Sequence, residues 1–506
     1  MLTEKSNTLI KSSFILGSAI ILSKIAGFSM EMVLAMFYGA GVTTDAFVLV
    51  YSIPATLLIV VSSLTSGFIP MYYQVKTSTN FMRNIMTMLL IIGVLFSGVF
   101  TIYPEWIIRL FAARLPPDTF ELSVFFTRYM VWSATLILFS EVYSAHLQIK
   151  SAFFAFGIQT VFRKITVIIG LILGALLEYN LFIALAPVVG NALCVLFLGW
   201  NCRKHGYVYK PYLDVRSHEL KQLLILCGPV FFTTAINQIN AIISRNFASS
   251  LPVGSISHLN FAFTITSIFT LAGGILITVL FPLMSKLAAE GNLDKLKNTL
   301  VTGILYTTVI MLPVSVGLFI LAEPVVRILY QRGEFIDMDT FQTATILRMY
   351  AATVFAGSII PLLMRGFHAC RDTKTPAIQA FIATIVGIGL NFVFIRPFGA
   401  EGLALAYSLS SLLAVFLLLI FFSKKIGSLR LRSNLFEFMK IAIATVIMGI
   451  GTRYAMNFLP LMDVSVLHFI LLCAALVTTA AIVYGGLLLL MRNKIAHEII
   501  RKLMHR

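Results

Sequence analysis

The stretch from Ser23 to Asp45, SKIAGFSMEMVLAMFYGAGVTTD, decides how this chain must be read. It begins inside a long apolar run and carries Lys24 and Glu31 there. At the centre of a membrane helix each such charge costs about 2.5–3.5 kcal/mol, so helices that keep them turn them toward a protein-lined, watery space. Lys24 and Glu31 are seven residues apart, two helical turns, and share one face. The run stops at Gly39-Ala-Gly41, a helix terminator, and an apolar run resumes with Asp45 at its head. This is the pattern of two membrane helices joined by a tight turn, with their charges facing a transport cavity.

The rest of the chain repeats that solvent preference. Of its 506 residues 59% are hydrophobic and only 12% charged, with a mean hydropathy of +0.94. Soluble domains carry about 25% charged residues. Apolar runs of about twenty residues recur from end to end, long enough for a hydrocarbon core of about 30 Å. None alternates as β-barrel strands do. The expected fold class is an all-α polytopic membrane protein with 14 transmembrane helices, at 10–37, 44–73, 82–103, 122–148, 152–177, 181–201, 220–248, 256–284, 297–321, 340–367, 375–396, 400–423, 436–457 and 466–490.

The net charge of +17 could point to nucleic acid, but the basic residues sit in short loops between spans, as in cytoplasmic loops of membrane proteins. With both termini cytoplasmic, 24 of the 38 lysines and arginines fall on the inner side. Lys5 and Lys11 precede the first apolar run without a cleavage site, which reads as a retained span. The five cysteines form no CxxC pair and point to neither disulfides nor zinc.

The chain also repeats itself. Glu105-Trp-Ile-Ile-Arg-Leu-Phe111 is matched by Glu323-Pro-Val-Val-Arg-Ile-Leu329, and Asp118-Thr-Phe120 by Asp339-Thr-Phe341. Arg128-Tyr129 is echoed near Arg348 and Tyr350, and Gly41…Phe68-Ile-Pro70 resembles Gly254…Leu280-Phe-Pro282. The offsets run from 212 to 221 residues. Six spans per unit, an even number, give both copies one orientation, a parallel repeat about the membrane normal. The expectation is an N-lobe of spans 1–6 over residues 1–205 and a C-lobe of spans 7–12 over 206–425, around a central cavity. Residues 426–506 add spans 13–14 and a basic cytoplasmic tail.

Enzyme chemistry is not indicated. No Walker A sequence, HExxH, GxSxG or aspartate-rich cluster occurs, and the eight histidines are scattered. No cofactor or metal is expected. Charges in or near spans remain: Lys24, Glu31, Asp45, Glu141, Arg163, Lys164, Arg245 and Arg348. Those near span ends can snorkel or form structural ion pairs. Lys24 and Glu31 sit mid-span, and Asn237, Asn240 and Ser244 lead to Arg245 as a polar stripe at helical spacing on span 7. A cavity of net positive charge suits an anionic headgroup such as a pyrophosphate. Gly27, Pro54, Gly67, Pro70, Gly273, Gly274 and Pro282 offer places for these helices to bend.

A set of motifs is more specific. It comprises Ser23-Lys24…Gly27-Phe28, Tyr38-Gly-Ala-Gly41…Thr44-Asp45-Ala-Phe47, Phe68-Ile-Pro70, and Ala248-Ser249…Leu251-Pro…Gly254-Ser-Ile-Ser257…Leu259-Asn-Phe-Ala262. Leu280-Phe-Pro282…Ser285, Arg332-Gly-Glu-Phe335, Arg365-Gly-Phe-His…Arg371-Asp-Thr-Lys-Thr-Pro376 and Gly402-Leu-Ala-Leu-Ala406 complete it. Over at least residues 10–425 the chain resembles the MurJ/MviN family of lipid II flippases, within the multidrug/oligosaccharidyl-lipid/polysaccharide exporter group. The resemblance implies a flippase that moves an undecaprenyl-pyrophosphate-linked peptidoglycan precursor from the cytoplasmic to the outer leaflet, with cavity arginines holding the headgroup. Carried onto this chain, it keeps Asp45 and places Lys24 at the first arginine, where the charge stays but the bidentate fork is lost. Met30 stands where another arginine is expected, followed by Glu31; Leu57-Leu58 and Phe263-Thr264 replace two more. Ser244-Arg245 resembles an Asp-Arg pair without its acid.

The candidate cavity set is therefore Lys24, Glu31, Asp45, Asn237, Asn240, Arg245 and Arg365. The expected partners are the undecaprenyl-pyrophosphate-linked glycan lipid, membrane lipids, a coupling proton or sodium ion and cell-wall synthesis proteins, with no nucleic acid. The expected location is the bacterial plasma membrane. Three other readings stay open. A flippase for another polyprenyl-linked oligosaccharide would use the same scaffold, and a cation-coupled small-molecule exporter would use Glu31 as its ion site. A non-transporting scaffold for glycan-synthesis enzymes would tolerate loss of every cavity charge.

Overall fold

The computed structural model describes residues 2–75, 78–429, 434–458 and 465–504, and every element among them is a helix or its connecting turn. In chain order, α1 (Leu2–Tyr38), α2 (Val42–Gln74) and α3 (Ser78–Ile102) precede a short α4 (Pro104–Phe111). Then come α5 (Pro117–Met130), α6 (Trp132–Ile149), α7 (Phe153–Leu176) and α8 (Asn180–Lys204). The order returns with α9 (His218–Ala248), α10 (Ser255–Ala289) and α11 (Leu293–Ile320) before a second short helix, α12 (Ala322–Tyr330). It continues with α13 (Asp337–Ala369) and α14 (Lys374–Ile426), and ends with α15 (Leu435–Met456), α16 (Val466–Leu490) and α17 (Lys494–Met504). The two matched Glu…Arg segments of the sequence fall on α4 and α12, each directly after a long helix. Each puts its acid in the first turn and its arginine in the last, the arrangement the helix dipole favours.

Nine helices among the described residues are long and apolar enough to cross a membrane, or ten if the bent pair α5–α6 counts as one. That pair bends by 40° at Val131, where Ser97 Oγ donates to the Val131 carbonyl at 3.0 Å. α14 runs for 53 residues, about 80 Å at 1.5 Å per residue and far more than one crossing needs. It breaks at Gly399, whose φ of 55° and ψ of −128° are open to glycine and strained for other residues. The sequence expectation of two spans at 375–396 and 400–423 brackets that break. The tail that was expected to be merely basic holds the amphipathic helix α17.

The helices gather into two compact units, Met1–Ser257 with Arg332–Ile336, and His258–Gln331 with Asp337–Arg506. In the first, a core of Phe68, Met82, Met86, Leu138, Cys194 and Leu198 joins α2, α3, α6 and α8. The loop after α8 is stitched onto α3 by Asn84. Its Nδ2 donates to the Asp214 carbonyl and its Oδ1 accepts from the Asp214 amide, both at 2.8 Å. A Cβ on Gly67 would stand 2.5 Å from Cys227 Sγ, so this glycine lets α2 and α9 approach closely. The second unit is centred on Met284, Leu300, Leu362, Phe367, Leu418 and Phe422, with Ile441 and Tyr484 from α15 and α16.

The Arg332–Phe335 motif belongs to the first unit for a backbone reason. Glu334 N donates to the Met36 carbonyl at 2.9 Å. Gly333, at φ +61°, lies where a Cβ would be 2.2 Å from that same oxygen. Only a residue without a Cβ fits there.

Candidate functional site

Asp45 is the most completely engaged of the expected residues. It is 3% exposed, and its carboxylate accepts from Gly254 N at 2.7 Å, from Ser257 N at 2.8 Å and from the Ser257 hydroxyl. These donors form the first turn of α10, whose amides have no intrahelical acceptor. A carboxylate there meets the positive end of the helix dipole as well as three donors. The turn that delivers Asp45 is equally defined. Gly39, at φ +57°, ends α1 with its amide on the Ala35 carbonyl, and Thr44 Oγ1 donates to Gly39 O at 2.8 Å. Asp45 thus acts as a latch between α2 and the start of α10.

Lys24 is exposed on α1 and Glu31 is half-buried two turns further along it. α7 packs along α1 and brings a third charge to the same stretch, one not included in the expected set. Lys164 Nζ donates to Met30 Sδ at 3.6 Å and stands 4.9 Å from the centroid of the Tyr51 ring on α2. Its Cε is 3.9 Å from where a Cβ on Gly27 would be. The amine therefore lies against Met30, the position at which the family resemblance expects an arginine.

The preceding residue faces elsewhere. Arg163 Nη2 is 3.7 Å from Glu141 Oε1, donates to Ser140 Oγ at 2.6 Å and reaches Gln159 Oε1 at 3.3 Å. Ser144 Oγ donates to the same Gln159 oxygen at 2.8 Å. Successive helical residues project about 100° apart, so two adjacent cations serve two faces of α7. Arg163 and Glu141 form the structural ion pair foreseen as one reading of their charges.

Arg245 is fixed through its neighbours. Asn246 Nδ2 donates to the Leu110 carbonyl at 2.8 Å and its Oδ1 accepts from Ala113 N at 3.2 Å. Ser249 Oγ accepts from Arg114 N at 3.3 Å. Ile242 packs on Leu49, Ile53 and Ile108. Held between these anchors, Arg245 is half-buried, and its Nη1 is buried without a hydrogen-bond acceptor. Among the described residues no carboxylate lies within 4.0 Å of Lys24, Lys164 or Arg245. Asn240 is half-buried on the same helix, and the side chain of Asn237 lies outside the described residues.

Arg365 belongs to the second unit, near the end of α13, where it is exposed with its guanidinium 4.8 Å from the Phe281 ring centroid. That unit also holds a cavity of about 490 Å³ between α10, α11, α12, α15 and α16, lined by Phe269, Val309, Pro313, Leu318, Val477 and Tyr484 among others. Its walls are almost wholly apolar. No group of three or more metal-ligating side chains occurs among the described residues.

Known proteins share this fold and sequence. The probable lipid II flippase MurJ of Buchnera aphidicola subsp. Acyrthosiphon pisum is 28% identical over 448 residues, covering 85% of this chain and 86% of the relative. That of Haemophilus influenzae is 27% identical over 516 residues, covering 93% and 98%. A solved lipid II flippase MurJ in an inward closed conformation superposes with a TM-score of 0.80 at 24% identity, over 96% of this chain and all of that one. An inward-facing multidrug resistance MATE transporter of the MOP superfamily follows at 0.67 and 15%, over 82% of this chain and 98% of its own, a likeness of fold alone. The family model described as Lipid II flippase MurJ matches residues 34–473, most of this multi-span helical membrane chain, and the chain belongs to that family.

Proposed function

We propose that the protein is a lipid II flippase, carrying undecaprenyl-pyrophosphate-linked peptidoglycan precursor across the bacterial plasma membrane by alternating access. The observation that carries this is the family match over residues 34–473, and the cations left without carboxylate partners at Lys24 and Arg245 support it. In this reading fourteen helices cross the membrane with both termini cytoplasmic, and two six-span lobes over 1–205 and 206–425 enclose the cavity. Lys24 and Arg245 contact the pyrophosphate, where each charge is offset by substrate rather than by protein. Glu31, Asn237, Asn240 and Arg365 complete the proposed cavity set. Asp45 ties α2 to the start of α10 through Gly254 and Ser257, and in this reading the contact breaks as the path opens. The apolar cavity beside α15 and α16, in residues 426–506, takes the polyprenyl tail. No bound nucleotide is needed, since a membrane potential is worth about 2.3 kcal/mol per charge per 100 mV and a proton or sodium gradient can bias the same step.

Complementation tests this directly in cells depleted of their own lipid II flippase. Wild type is expected to restore growth, whereas Lys24→Ala and Arg245→Ala reach the membrane and fail to restore it. A well-expressed wild type that does not rescue would move the cargo to another polyprenyl-linked glycan.

A further inference from the structure

We infer that Lys164 is a binding residue for an anionic phosphoryl oxygen of the transported lipid, a role that rests on the flippase reading above. Lys164 lies near the middle of the 24-residue helix α7, with eleven residues before it and twelve after. Both membrane surfaces are therefore about 16–18 Å away along the helix, beyond the reach of a lysine stem. A charge at that depth needs a partner. Its neighbour Arg163 has an opposite charge in Glu141, at 3.7 Å, and Lys164 has no carboxylate within 4.0 Å among the described residues.

What surrounds the Lys164 amine is suited to waiting for an anion. The Met30 sulfur at 3.6 Å and the Tyr51 ring at 4.9 Å are soft, neutral acceptors that hold an ammonium without cancelling its charge. Lysine binds phosphate as a compact point charge with three rotatable donors, so a sulfur and a ring face leave donors for an incoming oxygen. Position around α1 is also consistent. At about 100° per residue, Gly27 and Met30 stand beside the face shared by Lys24 and Glu31, and between them along the axis. The Lys164 amine therefore flanks that face at the same depth, supplied from α7.

The test uses the purified full-length protein and two lipids of equal tail, undecaprenyl pyrophosphate and undecaprenol, with binding read by native mass spectrometry. Lys164→Met keeps the stem and removes the charge, Lys164→Gln is a second neutral variant, and Lys164→Arg restores charge. Lys150→Met, at an exposed position after α6, controls for loss of a positive charge anywhere. Both neutral variants are expected to weaken pyrophosphate-lipid binding about tenfold or more while undecaprenol binding, Lys164→Arg and Lys150→Met stay near wild type. Neutral variants that bind the pyrophosphate lipid like wild type would overturn the assignment. So would equal loss of both lipids, or a wild type that prefers neither. A Lys164-dependent preference in a protein that fails lipid II complementation would uphold the residue's role and reject lipid II as the cargo.

Discussion

The two compact units differ in how several of their cations are partnered. In the first, three cations have no carboxylate within 4.0 Å among the described residues: Lys24 on α1, Lys164 on α7 and Arg245 in the last turn of α9. In the second, cations on α12, α13 and α14 meet carboxylates. Arg348 meets Glu323 at 3.6 Å and Arg327 meets Asp337 at 3.4 Å. Lys425 meets Asp372 at 2.6 Å. Its interior offers instead the apolar cavity of about 490 Å³. A lipid with a charged head and a long apolar tail needs both surfaces, and one fold provides them from separate units. The difference teaches that charged and apolar surfaces can be kept in separate parts of one helical chain, which is what the proposed amphipathic cargo would use.

The comparison breaks most severely at Glu141. Glu141→Ala leaves Arg163 buried beside Ser140 and Gln159 with no counter-charge, and we expect a loss of about 3 kcal/mol in unfolding stability. Chemical denaturation in detergent measures it, and Glu141→Ala with Arg163→Met should recover much of the loss. If the single change is neutral, the division of α7 into a structural and a functional cation is wrong. Asp45→Asn comes next, at about 2 kcal/mol, because one of its oxygens becomes a donor facing Gly254 and Ser257 donors. A shift in the thermal midpoint, alongside easier modification of cysteines placed near Gly254, would register both the lost stability and the loosened latch.

Asp372 sharpens the contrast at the membrane surface. Burial alone would raise its pKa, but the Lys425 ammonium and the Thr375 hydroxyl and amide outweigh that and hold it down at about 2. A depressed carboxyl contributes stability above its unfolded value near 4, lost as pH falls toward about 2. Lys425→Met should therefore cost about 1 kcal/mol alike at pH 7 and pH 5, half-exposed Lys425 limiting the amount. The gap to wild type should close only below about pH 4, and a gap that widened there would refute the pairing. The smallest stability effect belongs to Gly317→Leu. A Cβ there meets nothing within 4 Å and the residue lines the apolar cavity, so folding should change by less than about 1 kcal/mol. Flipping in vesicles should nevertheless slow if the cavity holds the tail.

Much of this was legible in order along the chain. Hydropathy and turn residues located the long helices, while the Glu105 and Glu323 segments, matched only as a repeat, lie on two short helices that the sequence reading did not foresee. Asp45 and Gly254-Ser-Ile-Ser257 were both singled out as motifs, yet nothing in their spacing said that one accepts hydrogen bonds from the other, 209 residues away. Arg163-Lys164 was harder still. Adjacent residues of one charge type carry no mark of which is paired and which is free, and their partners lie on α6, α1 and α2.

By itself, then, the sequence determined the solvent of this protein, the helical class, the places where helices end and the family to which the motifs resemble. These depend on local quantities: transfer free energy, periodicity and backbone freedom at glycine. Only the tertiary structure decided that Asp45 is a latch, that Arg163 is neutralised and that Lys164 reaches Met30 and Tyr51. A charge is defined by what stands within a few ångströms of it, and that distance is set by helix packing rather than by position in the chain.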